Sequence, residues 1–545
     1  MMPILAVFGP LDWGVVVAYF ALMIYMGVFA ARRDQGSREY FLGDRSLPSW
    51  ALAISIVATT LSAATFVGGP ELSYGGNLTY LFLPFTSLLS VLIVAIWFVP
   101  KLYQAGTVTI YGYLGGRYGQ TARIAVSVMF LFGRTLASGA RLFIAAIPLC
   151  LLMFAKRGQT DFTATKPQLM LAVCLIGVIG TFYTTLGGIK TIVWIDVIQF
   201  VIVVGAALAS IGLMLHAIPL SPVGIFKLLA HSPGGSPGHS KLQFFDFSTD
   251  PNKPFTIWAA LFGNVFLSVA VFGVDQDFAQ RFLISKSAVK GSLSLLYSQL
   301  IGIVVVGFFL LIGLLLYVFY KRPDVMGAAA PHHAPGNQQA YAAFLLNELP
   351  TVVSGLALAG FFAIAQGSMD SAINALASSL VADIYYPFRA AMGRPIDSNR
   401  DTEAPKIAVA IMGVVMVLFA IVCIALYNGQ SRTLIDFALG IMAFAYAGML
   451  GVFLTALLTP RGNTASVMAA LIAGVLTVIL LQPGVLDRWS GLLFHHRWHV
   501  ASTWWMPIGT VVSFAVCLVG KRNLPPPAFA VVRPSLAVET PSDPR

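Results

Sequence analysis

Two carboxylates lie inside long apolar runs of this chain. Asp196 sits about two turns into the helix that follows Gly187-Gly188 in GTFYTTLGGIKTIVWIDVIQ (Gly180–Gln199), and Asp370 lies in QGSMDSAINALASS (Gln366–Ser379). An ionised side chain within hydrocarbon is costly unless it faces a bundle interior and finds a partner, so each marks an ion or substrate pathway. Around Asp370, the polar residues Ser368, Ser371 and Asn374 fall within two turns. Asp370 and Asn374 are four apart, Ser371 and Asn374 three apart, so they share one flank of a helix. Hydroxyl, carbonyl and carboxylate oxygens of this kind suit a hard monovalent cation. Asp370 is also the candidate partner of Asp196, and two carboxylates brought close at depth need a proton on one or a cation between them.

Two further stretches carry polar groups where a lipid-facing helix would not. FLFGRTLASGARLF (Phe130–Phe143) places Arg134 and Arg141 seven residues apart, hence on one face and two turns apart. Guanidinium stays charged and favours bidentate contact with carboxylate. Two readings stay open: pairing with an intramembrane Asp or snorkelling to an interface, or contact with an anionic substrate. In ISIVATTLSAATFVGG (Ile54–Gly69), Thr59, Thr60, Ser62 and Thr65 crowd a helix that then meets Gly68, Gly69 and Pro70. Such a helix can be interrupted at the membrane midplane, turning backbone carbonyls to a cation. Alternatively, the hydroxyls back-bond to their own helix and the small residues allow close packing.

The elements that must hold these groups are transmembrane helices. The chain has 545 residues, 58% hydrophobic and 10% charged, with a mean hydropathy of +0.82, which excludes an ordinary water-soluble domain. Period-two alternation is absent, which disfavours a barrel. Hydropathy and loop breaks give about 13 spans, near residues 12–31, 48–69, 79–104, 122–154, 168–186, 190–216, 254–280, 291–320, 340–387, 404–427, 433–459, 464–483 and 501–520. The net charge of +11 is spread among inter-helix loops and fits positive-inside topology better than nucleic-acid binding. That rule predicts the N-terminus outside and the C-terminus cytoplasmic. Cys150, Cys174, Cys423 and Cys517 read as small buried hydrophobes. His495, His496 and His499 read as a solvated loop rather than a metal site, and residues 521–545 as a Pro-rich tail. No HExxH, GxSxG or cysteine–histidine arrangement suggests an enzyme.

Beyond these local readings, the chain resembles the sodium:solute symporter family. Tyr183-Thr184, Gly187-Gly188 and Trp194–Gln199 look like its fourth-to-fifth core helix motif. YFLGDRSLPSW (Tyr40–Trp50), DQDFAQRFL (Asp275–Leu283) and SSLVADIYYPF (Ser378–Phe388) resemble further landmarks in family order. The resemblance implies an all-α polytopic protein with a LeuT-like inverted-repeat bundle of the APC superfamily. In it, residues 1–520 form one transporter domain: an extra helix at 12–31, a core at about 48–459 and two helices at 464–520. It also implies a sodium-coupled symporter of a small organic solute in a cell (inner) membrane, with no nucleic acid and no obligate protein partner. A proton-coupled relative and a solute sensor stay open.

Carried over by position, the resemblance implies one sodium site at Ala58, Leu61, Ile364, Gly367 and Ser368, where glycine replaces one of two adjacent hydroxyls. A second sodium or proton site would use Asp196, Asp370 and Ser371. Substrate contacts would come from Thr60, Thr65, Arg134, Arg141, Ser268 and Gln299. Thr65, Ser268 and Val271 stand where sugar carriers present glutamine, asparagine and a gating tyrosine. This lining, poor in directional hydrogen bonds, disfavours a sugar, and an organic anion or amino acid is the expectation.

Overall fold

A backbone in hydrocarbon has no water to satisfy its N–H and C=O groups, so apolar runs of this length must close their hydrogen bonds within helices. The computed structural model describes residues 8–31, 36–61, 63–154, 164–234, 240–327, 334–394, 396–398, 400–426, 434–494 and 500–521. Among them the extended elements, α1 (Pro10–Ala31) onward, are all helical, and only two isolated bridges resemble strand pairing. The histidine cluster at 495–499 and the tail beyond Lys521 lie outside the described residues.

After α1 comes a bent pair, α2 (Ser49–Thr60) and α3 (Ala63–Gly75), then α4 (Thr79–Gln104), α5 (Gln120–Phe154) and α6 (Lys166–Ala217). A second bent pair follows, α7 (Ala259–Val274) and α8 (Gln276–Leu283), then α9 (Ala288–Lys321), α10 (Val353–Ser379), α11 (Glu403–Leu426), α12 (Leu434–Leu458), α13 (Thr464–Leu480) and α14 (Trp505–Leu518). Among the described residues seven helices are long and apolar enough to cross a membrane, or up to ten spans if each of three bent pairs, the third at Thr464–Leu480 with Pro483–Leu492, is one. The 52-residue α6 breaks at Gly188, whose φ of 61° and ψ of −177° suit glycine, so it makes two spans. Counting that division and the shorter helices α12 and α14 brings the described residues to about 13 spans, in agreement with the hydropathy reading.

The breaks recur. α2 and α3 meet at 62° across the extended Leu61, and α7 and α8 meet at 55° across the extended Asp275. One is the first core helix and the other the sixth, the equivalent positions of two five-helix repeats. No sequence repeat signals this correspondence; the backbone does.

The element at the centre is α10, 94% buried over its most apolar window. The amino-terminal helix α1 packs against α6 and α10, and Asp12 at its start caps α10 by accepting from Val352 N (2.7 Å), Ser354 Oγ (2.7 Å) and Gly355 N (3.0 Å). Small residues bring other helices to backbone contact. A Cβ on Gly313 of α9 would stand 2.1 Å from Ser73 Oγ and 2.3 Å from Pro70 O of α3.

Candidate functional site

The end of α2 supplies the first oxygens. Leu61 N–H donates back to Val57 O at 2.8 Å, and the carbonyls beyond Val57 have no further turn of helix to bond them. Ala58, Leu61 and Ile364 line a void of about 10 Å³ together with Gln199, Phe200, Val203 and Ala363. That is room for about one water-sized particle. At Gly367, three residues on from Ile364 along α10, the atoms nearest to where a Cβ would be are Gln199 Oε1 (2.8 Å), Asp196 Oδ1 (3.6 Å) and Ala58 O (3.8 Å). Both side-chain oxygens are buried and accept no hydrogen bond among the described residues. Ser368 Oγ leans back on Ala365 O (3.3 Å) and Ile364 O (3.5 Å), contacts long for a hydroxyl.

The second set of expected ion ligands divides. Asp196 Oδ2 accepts from Ser55 Oγ at 2.5 Å and lies 3.6 Å from Arg281 Nη2. The same nitrogen donates to Ser371 Oγ at 2.5 Å, and Thr59 Oγ1 donates to Ser371 at 3.1 Å. Asp370 instead accepts from Tyr183 OH and Ser371 N, both at 2.8 Å. Asp196 thus bonds to a serine and faces a guanidinium, while Asp370 acts on it as a neighbouring charge and not through a hydrogen bond. Asn374 of the shared flank donates to Gln280 Oε1 at 3.1 Å.

The two arginines of α5 also part company. Arg134 is fully buried and forks between Asp275 (2.8 Å) and Asp277, the residues flanking the α7–α8 break, while Tyr446 OH donates to Asp275. It does not line the central cavity. Arg141 does, two turns away. This cavity, about 160 Å³, is also lined by Thr60, Thr65, Ser268 and Gln299, with Tyr80, Ser87, Asn264 and Ser298 as further polar members. Most of these donors are spent locally. Thr60 bonds Ile56 O (2.7 Å), Ser298 bonds Leu295 O (2.7 Å), Gln299 bonds Pro84 O (3.1 Å), and Asn264 bonds Leu83 O (2.9 Å) and Ser87 Oγ (3.0 Å). Arg141 has only Met442 Sδ at 3.2 Å from Nη2, with Nη1 unpartnered and no ion pair among the described residues. A broken helix, a small void beside its end and a separate cavity whose one cation is unpaired among the described residues thus lie next to one another.

Comparison with known proteins decides the family. The sodium:solute symporter family model matches residues 40–474, well over half of the chain. The chain belongs to the sodium:solute symporter family. It is a multi-pass membrane symporter coupled to sodium, and not an enzyme. Its curated relatives include the sodium/sialic acid symporter SiaT of Proteus mirabilis, 24% identical over 88% of this chain and 90% of that one. Another is sodium-coupled monocarboxylate transporter 1 of Mus musculus, 28% identical over 85% of this chain and 70% of that one. Among solved structures, a substrate-bound, outward-open Na+-coupled sialic acid symporter superposes with a TM-score of 0.78 at 22% identity, covering 94% of this chain and 97% of that one, which establishes the LeuT-like fold.

Within this symporter, three residues that sequence reasoning passed over stand at the site. Gln199 enters the sequence reading only within a motif, and Arg281 falls just past the predicted span 254–280 among the basic residues of a cytoplasmic segment, whereas the structure buries it beside Asp196 and Asp277. Tyr19, on the helix preceding the repeats, donates to Gln366 Oε1 at 2.7 Å and accepts from Gln199 Nε2 at 3.1 Å. Nothing in the sequence distinguishes that tyrosine from other aromatic residues of a membrane helix.

Proposed function

We propose that this symporter couples sodium entry to the uptake of a small organic anion by alternating access. The observation that carries the proposal is Arg141: a guanidinium facing the cavity with an unspent nitrogen and no carboxylate against it. A half-buried guanidinium with no carboxylate against it is placed to take a solute carboxylate bidentately. The cavity volume favours a molecule smaller than the usual drug-sized ligand. The relatives named above bear the names of acids, sialic acid and monocarboxylates, and the sodium/iodide cotransporter of Homo sapiens, 26% identical, bears the name of an inorganic anion. Sodium would bind in the void between the end of α2 and the middle of α10, at Ala58, Leu61, Ile364 and neighbouring oxygens, with the N-terminus outside and the C-terminus in the cytoplasm.

Reconstitution into liposomes with an inward sodium gradient tests this. Short radiolabelled monocarboxylates are expected to accumulate, their neutral amides not, and Arg141→Gln is expected to cut carboxylate uptake by at least tenfold, the scale of about 1.4 kcal/mol. Equal uptake of acid and amide, or an unaffected Arg141→Gln variant, would overturn the anion assignment.

A further inference from the structure

We propose that the groove between the end of α10 and the start of α11 is a binding site for one phospholipid with a primary-amine headgroup, a phosphatidylethanolamine. Past Ser379 the helix runs on as a π-helical segment, Leu380–Tyr385, and a short last stretch, Tyr386–Ala391, before the chain turns back into α11 at Glu403. Such π-helical turns inside α-helices recur at functional sites. Between the two helices lies a cavity of about 700 Å³, far larger than the central one of about 160 Å³. Its walls are apolar: Leu380, Ile384 and Phe388 on one side, Ile407 and Ile411 on the other, over the buried Ala408. One contact pins the walls together. Tyr386 OH donates to Asp401 at 3.1 Å, and Asp401 caps α11 by accepting from Glu403 N (3.2 Å) and Ala404 N (3.0 Å).

The two ends of this groove differ in kind, and the difference names the occupant. Ile407 and Ile411 stand ~6 and ~12 Å along α11 from Glu403, and the exposed Val414, Leu418 and Val422 continue the same face toward the membrane centre. That end is open to hydrocarbon. The other end is lined by Asp397, Arg400, Asp401 and Glu403, three carboxylates and one guanidinium. Arg400 Nε lies 3.7 Å from Asp397 Oδ2, a loose contact between exposed side chains that a ligand can exchange at little cost. A molecule that is apolar along its length and carries both signs at one end meets both halves: acyl chain on the isoleucines, phosphate on Arg400, ammonium among the carboxylates. The excess of carboxylate then selects among phospholipids. An anionic headgroup meets net negative charge, since Arg394 and Lys406 lie outside the lining. A primary ammonium donates three hydrogen bonds, whereas a trimethylated one has no N–H to donate. Seated there, the lipid braces the end of the central helix of the bundle against α11.

The purified full-length protein, delipidated by exchange into a maltoside detergent, is titrated with dioleoyl phospholipids that differ only in headgroup, and bound lipid is counted by native mass spectrometry. One phosphatidylethanolamine is expected to bind at a concentration at least about tenfold below that needed for phosphatidylcholine, the worth of one hydrogen bond to a charged group. Phosphatidylglycerol is expected to bind no better than phosphatidylcholine. Asp397→Asn combined with Glu403→Gln changes exposed side chains and keeps the Asp401 cap. This double variant is expected to unfold at the wild-type temperature without lipid and to lose the preference for ethanolamine. Ala404→Trp fills the groove and is expected to remove both lipids together. Equal binding of ethanolamine and choline lipids by the wild type, a preference that survives the double variant, or phosphatidylglycerol bound tightest overturns the amine site, even if Ala404→Trp fails to fold. Lipid retained in full by a folded Ala404→Trp variant lies elsewhere on the protein and overturns the groove.

Discussion

Arg134 and Arg141 occupy one face of one helix, yet the bundle gives them opposite tasks. Arg134 meets two carboxylates and is held by charge-assisted bonds on both arms. Replacing it by Met leaves Asp275 and Asp277 buried without a counter-charge, and the expected loss is on the order of 3–5 kcal/mol, the usual result of removing one member of a buried ion pair. Arg134→Lys keeps the charge but not the fork, so it is expected to recover only part of that stability. Arg141→Met removes an unpaired charge from the cavity wall and is expected to leave the melting temperature unchanged or higher while abolishing anion uptake. Melting curves beside uptake assays for both variants check the contrast; a destabilised Arg141→Met would mean that this guanidinium is structural. The sequence showed that both arginines lay at depth but not which one was paired, because the pairing carboxylates sit at a chain break 141 and 143 residues away. In the same way the carboxylate of Asp196 was legible from its apolar surroundings. Its partners, Ser55 and Arg281, come from α2 and α8 and depend on packing that a spacing rule cannot express.

At the scale of elements, the broken helix was foreshadowed by the run of hydroxyls before Gly68, Gly69 and Pro70, whereas the means of holding its outer half was not. That half, α3, ends at Gly75, and its last carbonyls are capped from the connection between α6 and α7. Lys241 of this loop donates to Ser73 O (3.0 Å) and Tyr74 O (2.7 Å) and lies 4.3 Å from the centre of the Tyr317 ring. Burial, with the nearby Lys321 charge, brings its ammonium down to about 7. The sign follows. Between about pH 7 and the ordinary lysine range near 10.4, the unfolded chain holds more protons at this position than the folded one, so the group's contribution to stability rises with pH across that window. The wild-type melting temperature is expected to climb from about pH 7 to 9 relative to that of Lys241→Met; parallel profiles would show that Lys241 does not titrate there. On its opposite side α3 is seated against α9 at Gly313, where no Cβ fits beside Ser73 and Pro70. Clamped at two places, the outer half-helix can transmit a change at its inner end only by moving with the break at Leu61.

Leu61 is where the proposed ion and solute sites meet. It lines the void beneath α2 and also the central cavity, so one extended residue separates ion from solute. The buried carboxylates of Asp196, Asp275, Asp277 and Asp370 outnumber the guanidiniums of Arg134 and Arg281 that bond to this cluster, so a proton or a cation must supply the missing positive charge. A sodium ion held by carbonyls at the end of α2 and by side chains of α6 would fix the break and, with it, the cavity wall formed by Thr60, Leu61 and Thr65. The free energy of ordering that wall is then supplied once and serves both ligands, which is the physical content of positive coupling. By linkage the effect is reciprocal: the factor by which saturating sodium tightens a monocarboxylate equals the factor by which the monocarboxylate tightens sodium, expected within the usual range of about 5–150-fold. Leu61→Gly frees the backbone at the break and is expected to shrink that shared factor toward one, with a smaller change in the affinity for sodium alone. Binding isotherms for each ligand, measured with and without saturating amounts of the other, give both factors independently. Unequal factors would show that the two ligands were not measured on one equilibrium, whereas equal factors undiminished in Leu61→Gly would move the coupling element away from the α2–α3 break, to the α7–α8 break held by Arg134.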